Sequence, residues 1–156
     1  MPKIMDWYGT DGNDYFFMFN SPYTRDHVWA GNGNDIIEDG PSWNDWTSDI
    51  FRGEAGNDVL YSFSGNDRLY GGVGNDVLKV HVGYHDSYNN PVDKEDFNVK
   101  VHGGDGYDVL YMVNAGGSTV THNEDGSYDI ETRYHGHVKA TGIEEVVFVH
   151  GNDFLL

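Results

Sequence analysis

Six segments of this chain share one nonapeptide pattern, and a repeat of that length confines the fold to a stack of short turn-and-strand units. They are GTDGNDYFF from Gly9, AGNGNDIIE from Ala30, GEAGNDVLY from Gly53, SFSGNDRLY from Ser62, GGVGNDVLK from Gly71 and GGDGYDVLY from Gly103. All keep Gly at position 4, Asp at position 6 and a large apolar residue at position 8. The apolar set is Phe16, Ile37, Leu60, Leu69, Leu78 and Leu110, each two residues after its Asp and therefore on the same strand face. Weaker copies run in phase before two of these units: SPYTRDHVW from Ser21 and NDWTSDIFR from Asn44. Along the strong set the Asp-to-Asp steps, Asp14 to Asp35, Asp58, Asp76 and Asp108, are 21, 23, 18 and 32, which equal 18 plus 3, 5, 0 and 14. Eighteen is two nonapeptides, so the spacing predicts a coil with two turns and two strands per winding. The strong loops then stack on one edge, with Asp26, Asp49 and Asp67 on the other.

Charge says what such a stack needs. Twenty-six acidic against 9 basic residues give a net charge of −17, which opposes binding to nucleic acid or anionic lipid and makes cations the expected partners. Twenty-one glycines and 38% hydrophobic residues suit a disordered chain, whereas 15% aromatics do not. A ligand that cancels charge reconciles the two. There is no cysteine, hence no disulfide, thiolate metal site or cysteine nucleophile. No apolar run is long enough to span a bilayer, and Met1 to Asp6 lacks the apolar core of a secretory signal.

In the loops, Asp supplies charge and Gly allows backbone carbonyls to turn inward, which together suit a hard divalent ion taking six to eight oxygens. Stacked aspartates repel until a cation sits between them. Magnesium, which demands a tight octahedron and keeps its waters, suits such a loop less well. Single G-N-D strings are ordinary turn formers, but six in an 18-residue register are not explained by turn chemistry.

The pattern closely resembles the RTX (repeats-in-toxin, hemolysin-type) calcium-binding family with its GGxGxDxUx repeat, over about residues 9–111. The resemblance implies an all-β, right-handed parallel β-roll. It also implies calcium ions between same-edge loops, held by carbonyls 2 and 4 plus Asp 6 of one and carbonyls 1 and 3 plus Asp 6 of the next. Carried over, these are Thr10, Gly12 and Asp14 with Ala30, Asn32 and Asp35; then Gly31, Gly33 and Asp35 with Gly53, Ala55 and Asp58. Two further sites use Glu54, Gly56 and Asp58 with Gly71, Val73 and Asp76, and Gly72, Gly74 and Asp76 with Gly103, Asp105 and Asp108. On the opposite edge a glycine-poor set joins Asp45, Thr47 and Asp49 to Ser62, Ser64 and Asp67. Departures from the pattern are Thr10, Glu54 and Phe63 at the second glycine and Ser62 at the first.

The remainder is expected to serve the same single domain. A polar insertion at about residues 80–98 interrupts the roll; His81 and His85 within it have helical zinc spacing, but Gly83 and the absence of HExxH favour solvated loop histidines. Residues 112–156 read as antiparallel strands that cap the open end of the roll. Thr141 to Phe148 resembles a TGIExVxF-like segment often seen at the end of such repeat domains, and Asp153 to Leu156 the terminus of type I secretion substrates. The resemblance therefore implies export through the type I machinery to the extracellular space. Trp7, Trp29, Trp43 and Trp46 either stack on an extracellular polysaccharide or pack over the roll's N-terminal end, the second being favoured. With neither HExxH nor GxSxG present, the expectation is a non-enzymatic binding or adhesion module. The alternative is an accessory domain of a secreted protease, lipase or mannuronan epimerase.

Overall fold

Alternation within each nonapeptide's strand sends position 8 inward, and adding windings turns those residues into columns. The structure, a computed structural model, describes residues 1–18, 23–40, 47–63, 65–82, 97–133 and 136–150. Its strands in chain order are β1 (Lys3–Tyr8), β2 (Tyr15–Met18), β3 (Thr24–Asn32), β4 (Ile36–Asp39), β5 (Ile50–Ala55), β6 (Val59–Ser62), β7 (Arg68–Val73), β8 (Val77–His81), β9 (Asn98–Asp105), β10 (Val109–Val113), β11 (Thr119–His122), β12 (Tyr128–Glu131), β13 (His137–Thr141) and β14 (Glu145–Val149). Odd and even strands separate into two sheets, ordered β1-β3-β5-β7-β9-β13-β12-β11 and β14-β10-β8-β6-β4-β2. Pairing is parallel from β1 through β13 and from β2 through β14, so successive windings add one strand to each sheet and the chain forms a β-roll. No helix of the described residues is long and apolar enough to cross a membrane.

Register follows the 18-residue count. Phe16, Ile37, Leu60, Leu78 and Leu110 are direct neighbours across five strands, and Val28, Phe51, Leu69 and Val101 form the facing column. All of these except Phe16 are at most 3% exposed, and Phe16 packs against them from the end of the stack. Insertions of 3, 5 and 14 residues leave the columns unbroken because they fall between strands.

Outside the core, one row of the first sheet runs Tyr8, Trp29, Arg52, Tyr70, His102, Thr141, one residue per strand. Tyr8 stacks on Trp29 at 5.0 Å, and the Arg52 guanidinium lies 5.2 Å from the Trp29 ring and 5.3 Å from Tyr70. Trp29 thus spends its faces inside the sheet, as ring packing requires. Trp43 and Trp46 lie outside the described residues.

Two expectations differ from the structure. The C-terminal strands are antiparallel only at β11-β12 and β12-β13; β13 and β14 join β9 and β10 in parallel and continue the roll past residue 111. His81, expected in a solvated loop, ends β8, stacks on Phe63 at 4.5 Å, and is pushed down to a pKa of about 4 by burial. Leu78 and Val80, both buried in the core, carry the strand on to it. His85 lies outside the described residues.

Candidate metal centre

Where two sheets are joined by turns of glycine and aspartate, the position-6 side chain is the first group to enter the strand and points inward with the core residue that follows it. Asp35, Asp58, Asp76 and Asp108 are accordingly 0–1% exposed. Each gives its Oδ1 to the winding before it. The N–H of Asp14 donates to Asp35 at 2.7 Å, and those of Asp35, Asp58 and Asp76 donate to Asp58, Asp76 and Asp108 at 2.8 Å. The second oxygen, Oδ2, of Asp35, Asp58, Asp76 and Asp108 has no hydrogen-bond partner and no access to solvent. A buried carboxylate with an unmatched oxygen is costly, so burial raises the carboxyls of all four. It pushes Asp58 and Asp76 up to about 6, against the pull of the donated N–H and with a further push from neighbouring carboxylates.

Glycine decides what faces that oxygen. A Cβ on Gly53 would overlap Asp58 Oδ2 and lie 2.6 Å from the carbonyl oxygen of Gly71; one on Gly71 would overlap Asp76 Oδ2 and lie 2.5 Å from that of Gly103. Position 1 is therefore a place where a carboxylate oxygen and the next winding's carbonyl converge. Positions 2 and 4 take positive φ, as at Gly72 (122°) and Gly74 (138°), which turns their peptides against the adjoining windings. Glu54 holds position 2 at φ 76° without being glycine. Among the described residues no three acidic or histidine side chains gather around a point. The oxygens on offer are a carboxylate and several carbonyls, all hard and mostly uncharged, and that set fits calcium.

The loops differ in readiness. At the N-terminal one neither Thr10 nor Gly12 takes a positive φ, and Asp14 Oδ2 accepts the Thr10 N–H at 2.6 Å and hydroxyl at 2.9 Å. That loop is closed on itself. The structure brings Gly31, Gly33 and Asp35 against Gly53, Ala55 and Asp58, then Glu54, Gly56 and Asp58 against Gly71, Val73 and Asp76, and Gly72, Gly74 and Asp76 against Gly103, Asp105 and Asp108. On the opposite edge Asp26 and Asp49 donate N–H to Asp49 and Asp67 at 2.8 and 2.9 Å. Protein groups already serve the carboxylates there: Trp7 Nε1 bonds Asp26 at 3.0 Å and the Ser62 hydroxyl bonds Asp67 Oδ2 at 2.7 Å. Asp45 and Ser64 lie outside the described residues.

Position 5 carries a second ladder, which the calcium-loop pattern does not include. Asn34, Asn57 and Asn75 each donate N–H to the side-chain oxygen of the Asn one winding earlier, Asn13, Asn34 and Asn57, at 2.8–2.9 Å, and Tyr107 N–H reaches Asn75 at 2.9 Å. Its signal was present, since five of the six repeats read Asn-Asp at positions 5 and 6. The two ladders run in opposite directions, the Asp ladder drawing each winding to the next and the Asn ladder drawing it to the one before.

A family profile for the RTX calcium-binding nonapeptide repeat matches in four copies over residues 24–40 and 43–78. No curated protein matches the chain. The matched copies carry Asp35, Asp58 and Asp76, three of the four aspartates whose Oδ2 is without a partner, and the same register extends beyond them to Asp14 and Asp108. Residues 24–40 and 43–78 are RTX repeats, repeats of this kind bind Ca2+, and the chain carries a calcium-binding β-roll module.

Proposed function

We propose that this protein is an extracellular, non-enzymatic calcium-dependent module that folds on meeting calcium outside the cell, having left it through a type I exporter. The observation that carries the reading is the row of four buried Oδ2 atoms without partners, at Asp35, Asp58, Asp76 and Asp108. A fold that buries such a row is self-opposed until a cation joins the windings, so binding free energy becomes folding free energy. Extracellular calcium modules work at about 10⁻⁴–10⁻³ M, well above cytosolic calcium, so the chain stays threadable inside and rigid outside. Calcium and the exporter are its partners in this reading. The stacking of Trp29 between Tyr8 and Arg52 favours ring packing over sugar binding at that place, so any polysaccharide or cell-surface partner docks elsewhere.

The test is circular dichroism in chelator and then in calcium of about 5 mM, with magnesium as control. The expected result is a disordered spectrum turned β-rich by calcium alone. A β-rich spectrum in chelator that calcium leaves unchanged would remove calcium-driven folding. Export is tested by deleting Asp153 to Leu156, which lie outside the described residues; loss of passage through a type I exporter is expected. Turnover of casein, alginate or lipid esters would contradict the non-enzymatic assignment.

A further inference from the structure

The second sheet has one more winding than the repeat motifs announce. β14 pairs with β10 beyond the last nonapeptide, and Glu145 stands opposite Val109. Glu144 therefore occupies the rung that Asp14, Asp35, Asp58, Asp76 and Asp108 fill below it. Its carboxylate plays their part: the Asp108 N–H donates to Glu144 Oε2 at 2.7 Å. The Asp108 carbonyl accepts the N–H of Glu144 at 3.0 Å and that of Glu145 at 3.3 Å, the second as the Asp76 carbonyl accepts the Val109 N–H at 3.0 Å. Gly142 presents its carbonyl oxygen to Gly103, just as Gly103 presents its own to Gly71. It thus supplies the position-1 carbonyl of this winding.

From Gly142 to Glu144 is two residues, whereas Gly103 to Asp108 is five. The loop is three residues short, which is why no nonapeptide marks it, and glutamate's extra methylene extends the reach of the shorter turn. Beneath it, Asp108 is 0% exposed and its Oδ2 has no partner. That oxygen and the Gly142 carbonyl converge over Gly103: a Cβ there would lie 2.5 Å from Asp108 Oδ2 and closer still to the carbonyl. Two acceptors that converge with no donor between them repel until a cation joins them. Gly104 and Gly106, at φ 120° and 137°, hold positions 2 and 4 of the same loop, and the Gly104 carbonyl faces Gly142.

We propose that Asp108, Glu144 and the carbonyls of Gly104, Gly106 and Gly142 form a terminal calcium site, built on a truncated loop, which ties the repeat stack to β13 and β14. The proposal rests on the calcium-dependent roll described above. Glu144 and Gly142 are exposed, and the shortened loop has no position-3 residue. The ion here keeps water on its open side and exchanges before those deeper in the stack.

Ion counting by native mass spectrometry at saturating calcium tests it. Glu144→Gln keeps an acceptor for the Asp108 N–H but removes the charge, and is expected to bind one calcium fewer than wild type; Glu145→Gln, one residue on, is expected to lose none. An unchanged count in Glu144→Gln overturns the site. Should that variant lack the calcium-bound β spectrum, wild-type crystals soaked in terbium decide. An anomalous peak within about 2.6 Å of the Glu144 carboxylate supports the site, and its absence overturns it. A wild-type chain that binds no calcium at all would instead sink the roll's calcium dependence as a whole, a result distinct from loss of the terminal ion.

Discussion

At Asp76 and Asp26 the same residue type in the same repeat position meets opposite circumstances. Asp76 bonds one neighbour through Oδ1 and leaves Oδ2 buried and bare, whereas Asp26 Oδ1 already receives the Trp7 indole. Asp76→Asn should weaken calcium binding at least about tenfold, or 1.4 kcal/mol, and Asp26→Asn far less. Calcium titration of both variants checks this, and equal losses would contradict the assignment of the ions to the strong edge. The raised carboxyls also give a pH dependence whose sign can be stated. Asp58 and Asp76 ionise near 3.8 in an unfolded chain and at about 6 in the metal-free fold, so the fold holds their protons more tightly. The resulting destabilisation is absent below the unfolded value, grows as pH rises through about 6, and is fully present above it. Metal-free protein should therefore gain β structure on acidification from about pH 7.5 to 5, while apparent calcium affinity falls over the same range because protons compete for the same oxygens. Dichroism and calcium titration across that range measure both trends.

Between elements, two kinds of contact hold neighbouring windings in register without metal. One is the position-5 ladder, where Asn57 accepts from Asn75 and donates to Asn34. Asn57→Ala leaves the Asn75 N–H to water and should cost about 0.5–1.5 kcal/mol, read as a lower urea midpoint in calcium with an unchanged ion count. The other is the outer row of the first sheet, where Arg52 lies between Trp29 and Tyr70 on adjoining strands. Arg52→Ala should lower stability by about 1 kcal/mol and again leave the ion count unchanged, because no loop oxygen is touched. A loss of calcium from either variant would mean that these rows position the loops rather than merely hold the windings in register.

For the whole molecule, the question is whether calcium acts through net charge or through particular buried oxygens. A charge of −17 repels itself in any compact state, and salt screens that part. It does not reach Asp35, Asp58, Asp76 and Asp108, which are 0–1% exposed. Sodium chloride at about 0.5 M in chelator, where the Debye length is only a few ångströms, should therefore leave the chain largely unfolded, while millimolar calcium folds it cooperatively. Folding by salt alone, followed by dichroism, would show that diffuse repulsion was the only obstacle.

The nonapeptide alone determined the architecture, because an 18-residue count with an apolar residue two places after each Asp leaves one way to stack Ile37, Leu60, Leu78 and Leu110. Glycine at position 4 of all six repeats, at position 1 of four and at position 2 of three, made the oxygen-lined loops legible for the same reason, a turn that glycine tolerates best next to a neighbouring backbone. Other features belonged to the tertiary structure, since they depend on what stands one winding away. The self-closure of the Thr10 loop depends on its own side-chain hydroxyl reaching Asp14. The packing of His81 depends on Phe63, 18 residues earlier, and the satisfaction of Asp26 on Trp7. Glu144 was beyond the nonapeptide motif, because a glutamate in a loop three residues short shares no spacing with an aspartate in a full one. Only the pairing of β14 with β10 put the two carboxylates on the same rung.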